Sequence, residues 1–223
     1  MADFDILFQP FLAQAIWDGR KTMTRRIAWK DLGVNPASSK PVPLNAVVRQ
    51  IGSFVKGVVS TRWQKPQPGD RLWVREAHWR WGRWRHKRVG YTFEPIAATM
   101  GNVSFGETAP GNVGQYGDPE PAWHHRPGIF LPKDLSRMTL VVTATKVEPL
   151  HAITRADVLA EGLPLKAIKA WEQWLHPNDA PGQAFGMLWN QVHGKGEWDT
   201  NPEVVALSFR VERQNILQMA RAA

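Results

Sequence analysis

Eight consecutive residues, Gly19-Arg20-Lys21-Thr22-Met23-Thr24-Arg25-Arg26, carry one amine, two hydroxyls and three guanidiniums. A hydroxyl three residues from an amine can be a nucleophile beside its base, and neighbouring arginines can hold an anion or a developing oxyanion. The same residues also describe an ordinary solvated basic loop. An amine acts as a base only when neutral, so Lys21 needs burial or nearby cations to lower its pKa. Arg20, Arg25 and Arg26 supply the cations. In a regular strand, residues three apart face opposite ways. Lys21 and Thr24 therefore cooperate only if the backbone turns or bulges between them.

The flanking sequence predicts the elements that must position this segment. Phe4-Asp5-Ile6-Leu7-Phe8 reads as a short strand stopped by Pro10. Residues 11–17 predict a short helix, with Leu12, Ala15 and Ile16 on one side and Gly19 just past its end. Residues 30–44, with Pro36, Pro41, Pro43 and serines, predict a surface loop. Pro66, Pro68, Gly69 and Asp70 form a turn, and residues 71–76 follow as a strand with mixed faces. Residues 92–132 are rich in Gly, Pro and Asn without periodicity, and read as a long insertion.

The β-branched run at 138–148 predicts a central strand. Thr154-Arg155-Ala156-Asp157 opens a helix with a capping-box pattern, Asp replacing the usual Glu, and that helix should end near Gly162. Residues 165–175 and 183–193 predict two more helices, with Trp171, Trp174, Leu188, Trp189 and Val192 inward. Residues 203–212 predict a closing strand with one face fully buried, and residues 214–223 a tail or terminal helix on which Ile216 and Leu217 pack back. Strands and helices do not alternate strictly, so the expected class is α+β, a small mixed β-barrel with helices around it.

The 223 residues fit one domain over 1–213 carrying an insertion at about 79–132, followed by a tail at 214–223. Basic residues outnumber acidic ones 28 to 20, giving +8 and favouring nucleotides or nucleic acid as partners. The absence of cysteine excludes disulfides, thiolate metal sites and cysteine nucleophiles. The N-terminus has no basic and apolar leader, and no apolar run reaches transmembrane length. The expectation is a soluble cytoplasmic protein with no membrane partner.

Trp79, Trp81 and Trp84 alternate with Arg80, Arg83 and Arg85 before Lys87 and Arg88. A hairpin with Trp79 and Trp81 packed on one face and arginines on the other explains the pattern as far as Gly82. A stacking platform for single-stranded RNA is the alternative. His124-His125 has no third ligand at a recognisable spacing and reads as loop, so no metal is expected. Gly182, Gly186, Gly194 and Gly196 do not follow a strand as a phosphate-binding loop requires.

Taken together, Gly19-Arg20-Lys21-Thr22-x-Thr24-x-Arg26, Gly69-Asp70-x-Leu72 and Ala160-Glu161-Gly162 resemble the ASCH domain, a PUA-like fold. Leu72-Trp73-Val74-Arg75-Glu76, Ser136-Arg137, Leu188-Trp189 and Asn201-Pro202 resemble its longer members, often encoded by phages and prophages. The likeness is spread over most of the chain and is weakest over residues 79–130. It implies an amidohydrolase removing the acyl group from N4-acetylcytidine, with no cofactor. The implied catalytic residues are Lys21, Thr24 and Glu161, and Arg26 matches the family's following arginine. A modified cytidine nucleoside or nucleobase is the implied partner, with RNA as a further one. Some relatives imply only RNA binding or nuclease activity, which is the alternative function. Trp73, Arg75 and Glu76 are candidate substrate residues: a guanidinium donates to a base carbonyl and a carboxylate accepts from an exocyclic amine. An Arg75–Glu76 ion pair at the strand end is the competing account.

Overall fold

The computed structural model describes residues 1–31, 46–51, 54–96, 101 and 103–219. Most of the loop expected at 30–44 and the last four residues of the tail lie outside the described residues. The chain is α+β and divides into two compact units, each assembled from three segments. Among the described residues no helix is long and apolar enough to cross a membrane.

The first unit comprises Met1–Ala2, Asp18–Asp70 and Val141–Arg210. Its main strands are β2 (Met23–Ile27), β11 (Thr139–Pro149, from Val141 onward) and β12 (Glu203–Glu212, to Arg210), in the order β11-β12-β2. β12 runs antiparallel to β2 and sets Leu207 opposite Thr24, Ala206 opposite Arg25 and Val205 opposite Arg26. Val204, Val205, Ala206 and Leu207 are all buried, so β12 is covered on both faces at this point rather than on one. β11 is buried only in its first half; its second half is mostly exposed. A smaller sheet joins β3 (Trp29–Asp31), β5 (Phe54–Ser60) and β4 (Ala46–Ile51) in that order.

Three helices complete this unit: α2 (Arg155–Ala160), α3 (Leu165–Glu172) and α4 (Ala180–His193). They enclose a core of Leu150, Val158, Ile168, Phe185, Trp189, Trp198 and Val204. α4 begins before the predicted residue 183 because Pro181 sits in its first turn, where a missing N–H is tolerated. Trp174, expected inward, lies past the end of α3 and is exposed.

The second unit comprises Asp3–Trp17, Arg71–Leu140 and Val211–Ala223. β1 (Asp3–Leu7) pairs in parallel with β6 (Arg71–Arg75), and α1 (Pro10–Trp17) follows β1. Pro10 opens α1 rather than merely ending β1. Leu72 and Val74 are buried while Trp73 and Arg75 share the other face of β6. The short α5 (Ile216–Met219) buries Ile216, whereas Leu217 stays exposed.

A second sheet in this unit has the order β10-β7-β8, with β7 (His78–His86), β8 (Tyr91–Pro95) and β10 (Ala122–Arg126); β9 (Val103–Ser104) pairs with the start of β7. Three strands thus fall inside the 92–132 region or at its edge, where no periodicity was expected to yield any. The β7–β8 hairpin forms, but its faces are inverted from expectation. His78, Arg80 and Gly82 are buried, and Trp79 and Trp81 are the half-buried face. Gly82 is needed there, because a Cβ would lie 2.6 Å from the Phe93 ring and 2.4 Å from the Glu94 carbonyl oxygen.

Candidate active site

The short helix α2 is fixed at both ends. At its start the Thr154 hydroxyl accepts from Asp157 N–H (3.2 Å) while the Asp157 carboxylate accepts from Thr154 N–H (3.1 Å), the capping box foreseen with Asp in place of Glu. At its end Gly162 adopts φ 91°, its N–H donates to Leu159 O, and Leu163 N–H donates to Val158 O. These two bonds are the Schellman closure, and they require the left-handed conformation that glycine takes without strain. Glu161 is the residue held between helix and closure.

Lys21 meets Glu161 through both backbone and side chain. The two residues form an isolated antiparallel bridge, and Thr22 N–H donates to Ala160 O (2.7 Å). Thr22 O then accepts from Phe209 N–H (2.9 Å), so the chain changes partner at Thr22, from the end of α2 to β12. Regular strand begins only at Met23. Regular strand pairing thus starts after Lys21, but Lys21 and Arg25 both reach Glu161 while Thr24 alternates with Arg25 along β2, so the change of partner at Thr22 does not by itself bring Thr24 to the side of Lys21.

The side chains converge on one carboxylate. Lys21 Nζ donates to Glu161 Oε2 at 2.5 Å and to Glu161 O at 3.0 Å. Lys21 is 1% exposed and Glu161 3% exposed. Arg25 Nη1 donates to Glu161 Oε1 at 3.3 Å, and Arg25 Nη2 reaches Glu148 (2.8 Å) and Asp157 (2.9 Å). Lys146 adds a contact to Glu148 at 3.0 Å. Three cations (Lys21, Arg25, Lys146) thus balance three carboxylates (Glu148, Asp157, Glu161). The Phe185 ring lies 5.9 Å from the Arg25 guanidinium.

Burial pushes the Lys21 ammonium below its ordinary pKa; Glu161 opposes this, while Arg26 and Arg25 reinforce it. A lysine so placed is easier to deprotonate than a free one, as a general base requires. Arg26 lies in the same field: burial lowers its pKa to about 10, against the pull of Glu161, and its guanidinium stands 5.2 Å from the Trp63 ring. Burial and Arg26 also lower His193, which stacks on Trp189 at 4.0 Å. For Asp157, desolvation acts upward but is outweighed by the Thr154 N–H, Arg25 and Lys146, leaving the carboxyl below its usual range.

Thr24 is 4% exposed and lies on β2 opposite Leu207. Its hydroxyl makes no hydrogen bond among the described residues; Lys21 is joined to Glu161. Lys21, Glu161, Thr24 and Arg26 all belong to the first unit.

Trp73, Arg75 and Glu76 belong to the second unit, each engaged within it. Arg75 pairs with Asp5 at 3.2 Å, donates to the carbonyls of Gly128 and Ile129, and lies 5.4 Å from the Trp73 ring. Glu76 is buried and accepts two bonds from Arg137 at 3.0 Å each. Burial raises the Glu76 pKa despite Arg137. Arg75 and Glu76 therefore have separate partners rather than each other.

Sequence reasoning named Arg25 only as a charge near Lys21, and did not name Glu148 or Asp157 as its partners. The available signal was strand alternation: Lys21, Met23 and Arg25 share a side, so a carboxylate meeting Lys21 is also within reach of Arg25. Comparison with protein-family models, curated proteins and solved structures returns no match.

Proposed function

We propose that this chain is a PUA-like, ASCH-type amidohydrolase that removes the acyl group from N4-acylated cytidine or cytosine, with Lys21, Thr24 and Glu161 as its catalytic set. The observation that carries the reading is the buried Lys21–Glu161 pair, 140 residues apart in sequence and joined at 2.5 Å. A buried ion pair adds little net stability over a well-packed apolar pair of the same size. A lysine with a lowered pKa beside a buried carboxylate is, in contrast, a recurring catalytic arrangement. The mixed sheets, and the strand–helix–basic segment order at the N-terminus, support the fold part of the proposal.

The proposed reaction proceeds in two halves. Neutral Lys21 takes the Thr24 hydroxyl proton as Thr24 Oγ attacks the acyl carbon, and Arg26 faces the oxyanion. The C–N4 bond then breaks, the proton passes to N4, cytidine leaves and an acyl-threonine remains. Water, deprotonated by Lys21 with Glu161 holding the resulting ammonium, attacks the ester and releases the carboxylic acid and Thr24. Formation of the complex must bring Lys21 from Glu161 toward Thr24, a tightening that unliganded sites commonly require.

The test is incubation with N4-acetylcytidine in EDTA, with cytidine followed by chromatography and ultraviolet absorbance. The proposal expects turnover that is lost in Lys21→Ala and Thr24→Ala while circular dichroism is unchanged. Absence of turnover with N4-acetylcytidine and with bulkier N4-acyl analogues would overturn it.

A further inference from the structure

We propose that the basic–aromatic sheet of the second unit is a binding surface for single-stranded nucleic acid, with the hollow beside Trp84 receiving one nucleotide. The proposal stands independently of hydrolysis in the first unit.

The hollow arises from a mismatch in strand length. β10 pairs only with residues 78–82 of β7, and β8 pairs with residues 82–86. Beyond β10 the edge of β7 is met by a loop, through Trp84 N–H donating to Asp118 O (2.8 Å). The space left there is about 310 Å³ and is lined by Arg83, Trp84, Arg85, His86 and Pro119. That volume is at the small end of those that hold organic ligands.

Aromatic rings reach water beside this hollow. Tyr116 is 70% exposed, with its ring centroid 4.6 Å from that of Trp84 and 5.4 Å from that of Tyr91. Phe93 supports Trp84 from the neighbouring strand at 5.3 Å. Charge complements the rings. Residues 83–95 contain four basic side chains (Arg83, Arg85, Lys87, Arg88) and one carboxylate, Glu94, while Asp118 and Glu120 flank Pro119 on the facing loop. Arg83 and Arg85 share Glu94, and Lys87 and Arg88 at the turn after β7 are exposed. Arg126 adds a guanidinium held by three rings, Trp84 (5.0 Å), Phe93 (4.6 Å) and Phe130 (4.4 Å), with no carboxylate paired to it among the described residues.

Exposed π-faces beside the Arg126 guanidinium, with Arg85 on the other face of β7 and Lys87 and Arg88 at its turn, fit a ligand that is both planar-ringed and polyanionic. Unpaired bases stack on aromatics while their phosphates meet the cations. An acidic peptide would use the charges and leave the rings idle.

The test is fluorescence anisotropy of the full chain with labelled oligo(U) and oligo(dT) of about twelve nucleotides, a length within the range such surfaces cover. Arg85→Glu/Arg88→Glu and Tyr116→Ala change exposed groups on this surface, and Lys166→Glu on α3 is the charge control. We expect binding that weakens steeply with salt, falls at least about tenfold in the double reversal and about tenfold in Tyr116→Ala, and is unchanged in the control. Binding of either oligonucleotide with this pattern sustains the proposal. No binding by the unmodified protein, equal binding of a duplex, or equal losses in Lys166→Glu would overturn it.

Discussion

In the first unit, Lys21 and Arg25 are held out of water by carboxylates; in the second, Arg126 is held by three rings, and Arg137 lies between Trp17 (4.2 Å) and Phe105 (4.5 Å) as well as against Glu76. A carboxylate cancels the charge it holds and fixes the geometry of both partners. A ring shields a cation without cancelling it, so the charge remains available to a third party. The first arrangement suits a site where a proton must move between fixed groups. The second suits a surface that attracts an anion.

The largest expected effect breaks this comparison on the carboxylate side. Glu161→Ala leaves Lys21 and part of Arg25 uncompensated in a buried site, and should destabilise the fold by about 3–5 kcal/mol in urea titrations. Arg126→Leu should cost less than about 2 kcal/mol, because its rings can close over an apolar side chain. Equal losses in the two variants would mean that the two modes of holding a cation do not differ as described.

The pH response should separate the units as well. Burial lowers His78, in the second unit, from 6.5 to about 4. Between those values the unfolded chain binds the proton and the folded chain does not. Stability therefore falls as pH drops from 6.5 to 4, by roughly 3 kcal/mol in total, and His78→Gln should flatten this limb. Lys21 has the opposite position on the pH axis. Its folded pKa lies below the ordinary 10.5, so the unfolded chain again binds more protons and stability rises with pH up to about that value. Lys21→Met should remove that alkaline rise and leave the acid limb intact. Urea midpoints across pH measure both.

The smallest effect concerns the helix that carries Glu161. Thr154→Ala removes one half of the capping box and should cost about 1 kcal/mol. It should reduce hydrolysis only modestly, since Gly162 still closes the other end of α2.

The helix ends were legible in the sequence because their chemistry is local. Gly19 after α1, the Thr154–Asp157 box and Gly162 each act within one turn of the residue they serve. The strand at 203–212 was legible as well, though not its burial on both faces, which depends on what packs against it. The Lys21–Glu161 meeting came from family resemblance rather than from spacing, since nothing local links residues 140 apart. Alternation in residues 79–88 told which side chains share a face. It could not tell which face would be covered, and Arg80 rather than Trp81 went inside. β8, β9 and β10 were missed because short strands broken by Gly and Pro carry little periodic signal and are defined by their partners.

The central claim is that the buried Lys21–Glu161 pair performs chemistry rather than only holding α2 in place. The most direct test is hydrolysis of N4-acetylcytidine by Lys21→Met, measured beside its urea midpoint. Methionine fills a similar volume without the amine, and Glu161 keeps Arg25 as a partner. The account predicts a fall in kcat/KM of about 10³-fold or more with the fold retained. Turnover unchanged in the variant, no turnover by the unmodified protein, or activity that falls only in step with unfolding would contradict it.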